Sequence, residues 1–128
     1  MSFFIVCDID HTLLTDAGEL LEANVRALAA ARAAGATVAL ATARSFAGAR
    51  PIHRALALKT PLVVNNGTLV CDPGGFLLHA QTLEPQLARE VVALFRDTKH
   101  HWSFRTVTAA YLHPAFDTSR APFDDPEH

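Results

Sequence analysis

The sequence has 128 residues, a formal net charge of −2 at pH 7, and 50% hydrophobic against 19% charged residues. This balance is typical of a globular domain with a core, and it excludes a chain that stays disordered. It supplies no basic surface, so we expect neither nucleic acid nor a membrane as a partner. The longest apolar run is too short to span a bilayer, the N-terminal segment is unlike a signal peptide, and there is no CxxC pair, so we expect a cytoplasmic location.

The first 65 residues predict three strands separated by two helices. The apolar runs at residues 3–7, 37–41 and 62–65 are typical of strands covered on both faces. Residues 21–34 and about 46–58 carry helical apolar stripes. Gly35 and Ser45 are suited to end the first helix and to cap the second. This order predicts an α/β fold with a parallel sheet and right-handed crossovers.

The pattern changes after Asn66-Gly67, which marks a turn. Residues 68–71 and 76–79 predict an antiparallel hairpin, because the Asp-Pro-Gly-Gly sequence between them is suited to a tight connection. An amphipathic helix is predicted over residues 83–98 and a single strand over 103–112. From residue 114 onward prolines and acids dominate, which indicates an irregular tail.

Three polar side chains follow the first two predicted strands at their carboxyl ends. Asp8 and Asp10 come after the first strand, and Thr42 follows the second. Ligands of open parallel sheets bind at this end, and side chains at i and i+2 of an extended segment share one side. The residues therefore predict one small site. The alternatives are that the acids cap a loop and that Thr42 caps the next helix.

The residue strings at these positions resemble a known family. Asp8-Ile9-Asp10-His11-Thr12 resembles the DxDxT signature of the haloacid dehalogenase-like hydrolases, although the family commonly has glycine where His11 stands. VALATARS resembles the family's second motif, a strand closed by Thr or Ser. VVNNGTLV is similar to the Asn-Gly segment of its Cof-type, sugar-phosphatase-like branch.

The resemblance implies a domain organisation and the start of a larger fold. Residues 1–80 would form the N-terminal part of a Rossmann-like core, with strands one to three of its parallel sheet. Residues 81–113 would begin an inserted α/β cap, and residues 114–128 would be an irregular tail.

The resemblance also implies a magnesium-dependent phosphatase that acts on a small phosphomonoester such as a sugar phosphate. Asp8 would be the nucleophile that forms an aspartyl-phosphate, and Asp10 the general acid and base, with a raised pKa that lets it hold a proton. Mg²⁺ would bind the Asp8 carboxylate and the Asp10 backbone carbonyl. The implied phosphate-binding residues are Thr42, Ala43, Arg44 and Asn66. Arg44 could equally be a solvated residue at a helix start, and Asn66 could serve only the turn.

Two further motifs of the family have no match here. Its lysine has no counterpart in Lys59 or Lys99, and Asp124-Asp125 does not follow an apolar strand. We therefore expect a truncated gene product, a fragment or a chain completed by a partner. The consequences would be weak or absent turnover from this chain, an open apolar edge on the first strand, and self-association or a complementing chain. The alternative function is a non-catalytic interaction module that associates through this edge.

Two other functions are disfavoured by the residues. A phosphoacceptor receiver domain needs an aspartate after the third strand, where this chain has Asn65-Asn66. A histidine metal site is disfavoured because His79, His100, His101 and His113 fit no zinc spacing.

Overall fold

The computed structural model describes residues 3–96, 98, 102–107 and 110–112. Residues 3–80 form one compact unit, and the described residues from 81 to 112 form a second. The first unit contains, in chain order, β1 (Phe4–Cys7), α1 (Glu22–Ala33), β2 (Thr37–Ala41), α2 (Phe46–Ala55), β3 (Leu62–Val64), a 3₁₀ turn (Asn65–Gly67), β4 (Leu69–Cys71) and β5 (Leu77–Ala80). The second contains α3 (Pro85–Phe95), β6 (Ser103–Arg105) and β7 (Ala110–Leu112).

The first unit is built on one sheet in the order β1-β2-β3-β4-β5. The strands β1, β2 and β3 are parallel, whereas β4 and β5 run antiparallel to their neighbours. The predicted α/β fold with a parallel sheet and a following hairpin is therefore confirmed.

The core of this unit lies around the two central strands. Leu40, Leu62 and Val64 have no solvent exposure, because β2 and β3 are paired on both edges and packed by neighbouring side chains. Such continuous apolar strands are what burial on both faces requires. Helix α2 contributes Ala49 and His53, which are both buried.

Helix α2 ends earlier than its apolar stripe predicts. The helix stops at Ala55, and Ala57 adopts a left-handed backbone with φ of 51°. The chain turns there, and Leu56 and Leu58 enter the core from the turn. Their apolar character reflects core packing outside the helix, which is why the predicted end at residue 58 was wrong.

Strand β1 differs from the prediction that both of its faces are covered. Ile5 and Cys7 pack against the core, whereas Phe4 and Val6 are 67% and 53% exposed. Within the described residues β1 pairs only with β2, so its outer edge is open. The open apolar edge stays a prediction, and the prediction of two covered faces was wrong because Phe4 and Val6 lie on the face opposite the core, where they are exposed.

The second unit contains a hairpin where the sequence predicts a single strand. Residues 103–105 and 110–112 form β6 and β7, which pair antiparallel with Ser103 opposite Leu112. Alternating residues are typical of both arrangements, so the pattern could not reveal the reversal. Helix α3 is shorter than predicted and has no buried residue.

Some predictions for the C-terminal part of the chain fall on residues that the structure does not describe. Residues 114–128, predicted as a tail, and three of the four histidines considered above, at positions 100, 101 and 113, lie outside the described residues. Among the helices that are described, none has the length and apolar content that crossing a bilayer requires.

Candidate active site

The carboxyl ends of the three parallel strands lie side by side. Cys7 is opposite Leu40, and Leu40 is opposite Leu62, so each strand ends at a similar level. The first residues beyond these ends include Asp8, Thr42 and Asn65. The Thr42 amide also donates a 3.0 Å hydrogen bond to the Val63 carbonyl, which ties the second end to the third strand.

Asp8 and Asp10 are separated by a buried anchor. Ile9 has no solvent exposure, and its carbonyl accepts hydrogen bonds from the amides of Leu13 and Leu14 at 2.9 and 3.1 Å. The two acids on either side of it stay accessible, Asp8 exposed and Asp10 half-buried. Asp8 Oδ1 accepts a 2.7 Å hydrogen bond from the Ile9 amide. The anchor thus presents two carboxylates at the end of β1.

Arg44 forms a two-pronged ion pair with Asp10. Its Nη2 lies 2.7 Å from Asp10 Oδ1 and its Nε lies 3.0 Å from Oδ2. The side chains are only 19% and 32% exposed. These hydrogen bonds lower the pKa of Asp10 below its ordinary value and outweigh the desolvation that acts in the opposite direction. This direction is opposite to the one predicted for Asp10 in its pairing with Asp8, because that prediction did not include the Arg44 guanidinium.

The rest of Arg44 is held by loops from two strands. Its amide donates to Thr42 Oγ1 at 3.2 Å, and its carbonyl accepts from the Asn65 amide at 2.8 Å. Its Nη1 donates to the Gly48 carbonyl at 3.3 Å. Arg44 is therefore an internal residue of the site and not a solvated helix-start arginine.

Thr42 is buried, with 6% exposure, and serves the loop instead of capping α2. The cap is Ser45, whose Oγ accepts a 3.2 Å hydrogen bond from the Gly48 amide. The Thr42 carbonyl accepts from the Asn66 amide at 3.1 Å. The Asn66 side chain is exposed, and its backbone belongs to a left-handed turn.

Asn65 is a site neighbour that sequence reasoning did not select. Its φ is 49°, and Asn66 and Gly67 follow at 56° and 89°, a run that asparagine and glycine tolerate best. Asn65 Oδ1 is buried and has no hydrogen-bond partner within the described residues. The sequence Asn65-Asn66-Gly67 indicates a turn. Nothing in the sequence indicates that the Asn65 amide contacts the Arg44 carbonyl.

His11 lies in the loop beside Asp10 with φ of 55°, and its Nδ1 donates to Asp16 Oδ1 at 3.1 Å. The left-handed backbone fits a position where the family commonly has glycine. His79 lies exposed on β5.

A family model described as haloacid dehalogenase-like hydrolase matches residues 5–127. The chain belongs to this family. The resemblance read from the motifs at Asp8, Thr42 and Asn66 is thereby confirmed.

Individual members of the haloacid dehalogenase-like family are similar to this chain. It is 38% identical over 91 residues to the HMP-PP phosphatase of Cronobacter sakazakii, covering 71% of this chain and 34% of that protein. It is 40% identical over 79 residues to the pyridoxal phosphate phosphatase YbhA of Escherichia coli, covering 62% and 27%. The structure of a haloacid dehalogenase-like hydrolase from B. subtilis matches with a TM-score of 0.75 and 28% identity, covering 85% of this chain and 38% of that one. The chain thus spans about a third of the length of these relatives.

The metal that the family implies can be tested against the donors present. Within the described residues no hydrogen bond occupies Asp8 Oδ2 or the Asp10 backbone carbonyl, and both are the oxygen ligands that Mg²⁺ prefers. No cluster of three or more His, Cys, Asp or Glu side chains suited to a metal occurs among the described residues. The donors therefore fit Mg²⁺ in chemistry and supply part of a ligand set, which Mg²⁺ commonly completes with water.

Proposed function

We propose that this chain carries the nucleophile-bearing part of a magnesium-dependent phosphatase that acts on a small phosphomonoester through an aspartyl-phosphate. The observation that carries the proposal is the pair Asp8 and Asp10, which stay accessible on either side of the buried Ile9 at the common end of three parallel strands. The names of the relatives, an HMP-PP phosphatase and a pyridoxal phosphate phosphatase, support a phosphorylated metabolite as substrate.

In the first step an Asp8 carboxylate oxygen attacks phosphorus, and the bond from phosphorus to the leaving oxygen breaks. Asp10 gives its proton to that oxygen, so that an alcohol leaves. The anionic oxygens of a bound substrate would oppose ionisation of Asp10 and so favour this proton, against the effect of Arg44. In the second step Asp10 takes a proton from water, which attacks phosphorus, releases phosphate and restores Asp8.

Of the predicted phosphate-binding set, Thr42, Ala43 and Asn66 stay part of the proposal. The Thr42 hydroxyl and backbone amides near Ala43 lie beside the N-terminal end of α2, where an anion is favoured. Asn66 borders the same strand ends, whereas the guanidinium of Arg44 is already paired with Asp10. Mg²⁺ held by Asp8 and the Asp10 carbonyl would neutralise charge on the phosphoryl group. The Cof-type assignment, the cytoplasmic location and the absence of nucleic acid partners stay predictions.

The proposal is tested with 4-nitrophenyl phosphate, Mg²⁺ and two variants. Asp8→Asn should reduce turnover at least about 10³-fold, since it removes the nucleophile. Asp16→Asn, which removes an exposed carboxylate from the same loop, is the matched control and should retain activity. We expect weak turnover from this chain, so the phosphorylated Asp8 should also be sought by mass spectrometry after acid quenching. Magnesium-dependent turnover that survives in Asp8→Asn would rule the mechanism out.

A second candidate function rests on the open edge of β1. Phe4 and Val6 are exposed, and β1 offers unpaired backbone groups on its outer side within the described residues. Such an edge can pair with another chain, as a non-catalytic interaction module would. Sedimentation of the chain and of Val6→Lys tests this function, which requires self-association that the lysine weakens. A monomer at all concentrations would exclude association with a second copy.

A further inference from the structure

All three guanidinium nitrogens of Arg44 have protein partners. Nη1 donates to the Gly48 carbonyl, while Nε and Nη2 donate to the two oxygens of Asp10. An arginine that serves mainly as a cation for an incoming phosphate would be expected to keep its fork free. In this structure Nε and Nη2 of Arg44 are already paired with Asp10. The hydrogen bond from Nη1 to the Gly48 carbonyl, in the first turn of α2, fixes the position of the guanidinium.

The backbone of Arg44 is fixed as firmly as its head group. The carbonyl of Arg44 accepts from the Asn65 amide at 2.8 Å, and its amide donates to the Thr42 hydroxyl at 3.2 Å. These bonds come from the ends of β3 and β2. The side chain therefore extends from an immobilised peptide, and little additional entropy is lost when its guanidinium pairs with Asp10.

Two parallel hydrogen bonds constrain a carboxylate more than one does. The bonds at 2.7 and 3.0 Å fix both the location and the plane of the Asp10 carboxylate. Lysine would keep the charge but could not reproduce the planar fork.

We propose that Arg44 is a positioning residue, which holds the Asp10 carboxylate in the orientation needed for proton transfer beside Asp8. The inference rests on the proposed function, because it takes Asp10 as the acid and base. The orientation of Asp10, which follows β1, would then depend on the contacts that hold Arg44 at the ends of β2 and β3 and in α2.

Misplacement of a reacting group by about 1 Å can reduce a rate about 10²-fold. Arg44→Gln and Arg44→Lys should therefore lower kcat by about 10- to 10²-fold while KM changes less than about threefold. Arg26→Gln makes the same charge change at an exposed pair with Glu22 and should leave both constants unchanged. A rise in KM with kcat retained in the Arg44 variants would overturn the proposal, since it would mean that Arg44 binds substrate.

A spectroscopic measurement decides the geometry without turnover. In the NMR spectrum of the 128-residue chain, the Nε–H of Arg44 should be resolved and slow to exchange with water in the wild type and in Asp8→Asn, and should lose both properties in Asp10→Asn. An Nε–H signal that is the same in Asp10→Asn as in the wild type would overturn the proposal even if the variants slow the reaction. Failure of the proposed function would instead appear as turnover that does not depend on Asp8, with the NMR result unaffected.

Discussion

The Nε2–H of His53 donates a 2.8 Å hydrogen bond to the carbonyl of Thr60, and the Thr60 hydroxyl donates at 2.6 Å to the carbonyl of Val38. His53 is only 2% exposed. These two bonds join α2, the segment before β3, and β2. They lie near the amino-terminal ends of β2 and β3, opposite the carboxyl ends that carry the site.

His53→Ala should lower the free energy of unfolding by about 2–4 kcal/mol, because it leaves a cavity and an unsatisfied carbonyl. Urea denaturation measures the change. His79→Ala, on the exposed face of β5, is the control and should change stability by less than about 0.5 kcal/mol. Equal losses in the two variants would show that the bond to Thr60 contributes nothing.

Gly75→Ala should destabilise the hairpin through a contact and a backbone effect. Its φ is 99°, and an added Cβ would lie 2.9 Å from Cε1 of Phe46. Gly18, with φ of 78° and no atom within 4 Å of such a Cβ, isolates the backbone effect. We expect Gly75→Ala to cost about 1 kcal/mol more than Gly18→Ala. Thermal unfolding of both variants measures the difference, and equal midpoints would contradict the clash.

The ion pair of Asp10 and Arg44 should make stability depend on pH. The Arg44 guanidinium holds the pKa of Asp10 below its ordinary value in the folded chain, so the stabilisation is complete above that ordinary value and is lost as the pH falls through the folded pKa. Asp10→Asn should therefore cost about 0.5–1 kcal/mol near neutral pH, since both side chains keep some solvent contact, and little at an acid pH below the folded pKa.

The control for this pH dependence is the same substitution in an Arg44→Gln background. Without the guanidinium, Asp10→Asn should have much less effect at neutral pH. Denaturant titrations at both pH values complete the double-mutant cycle. A pH dependence that persists at full size in that background would assign the stabilisation to a group other than Arg44.

Thr42→Val should lower the free energy of unfolding by about 1 kcal/mol, because the half-buried Arg44 amide loses its acceptor while the volume is nearly kept. Thr42→Ser keeps the hydroxyl and removes a methyl group. We expect a smaller loss in Thr42→Ser, measured by urea denaturation. A larger loss in Thr42→Ser would show that packing, not the hydrogen bond, governs this position.

Local sequence patterns predicted the strands and helices well where burial requires a continuous run of apolar residues. Strand β2 has the predicted bounds, Thr37–Ala41, because both of its faces are covered. Gly35 follows α1 with φ of 92°, as a helix-ending glycine does. The open edge of β1 was predicted from the family resemblance together with the absence of later motifs.

The chain sequence by itself determined the alternation of strands and helices, the family, and the placement of Asp8, Asp10 and Thr42 at strand ends. These properties depend on residues near one another along the chain. Only the tertiary structure decided that Arg44 pairs with Asp10, which is 34 residues away, and that Asn65 holds the Arg44 peptide. Such contacts depend on strand register, loop path and side-chain rotamers together, and no local pattern of residues encodes that combination.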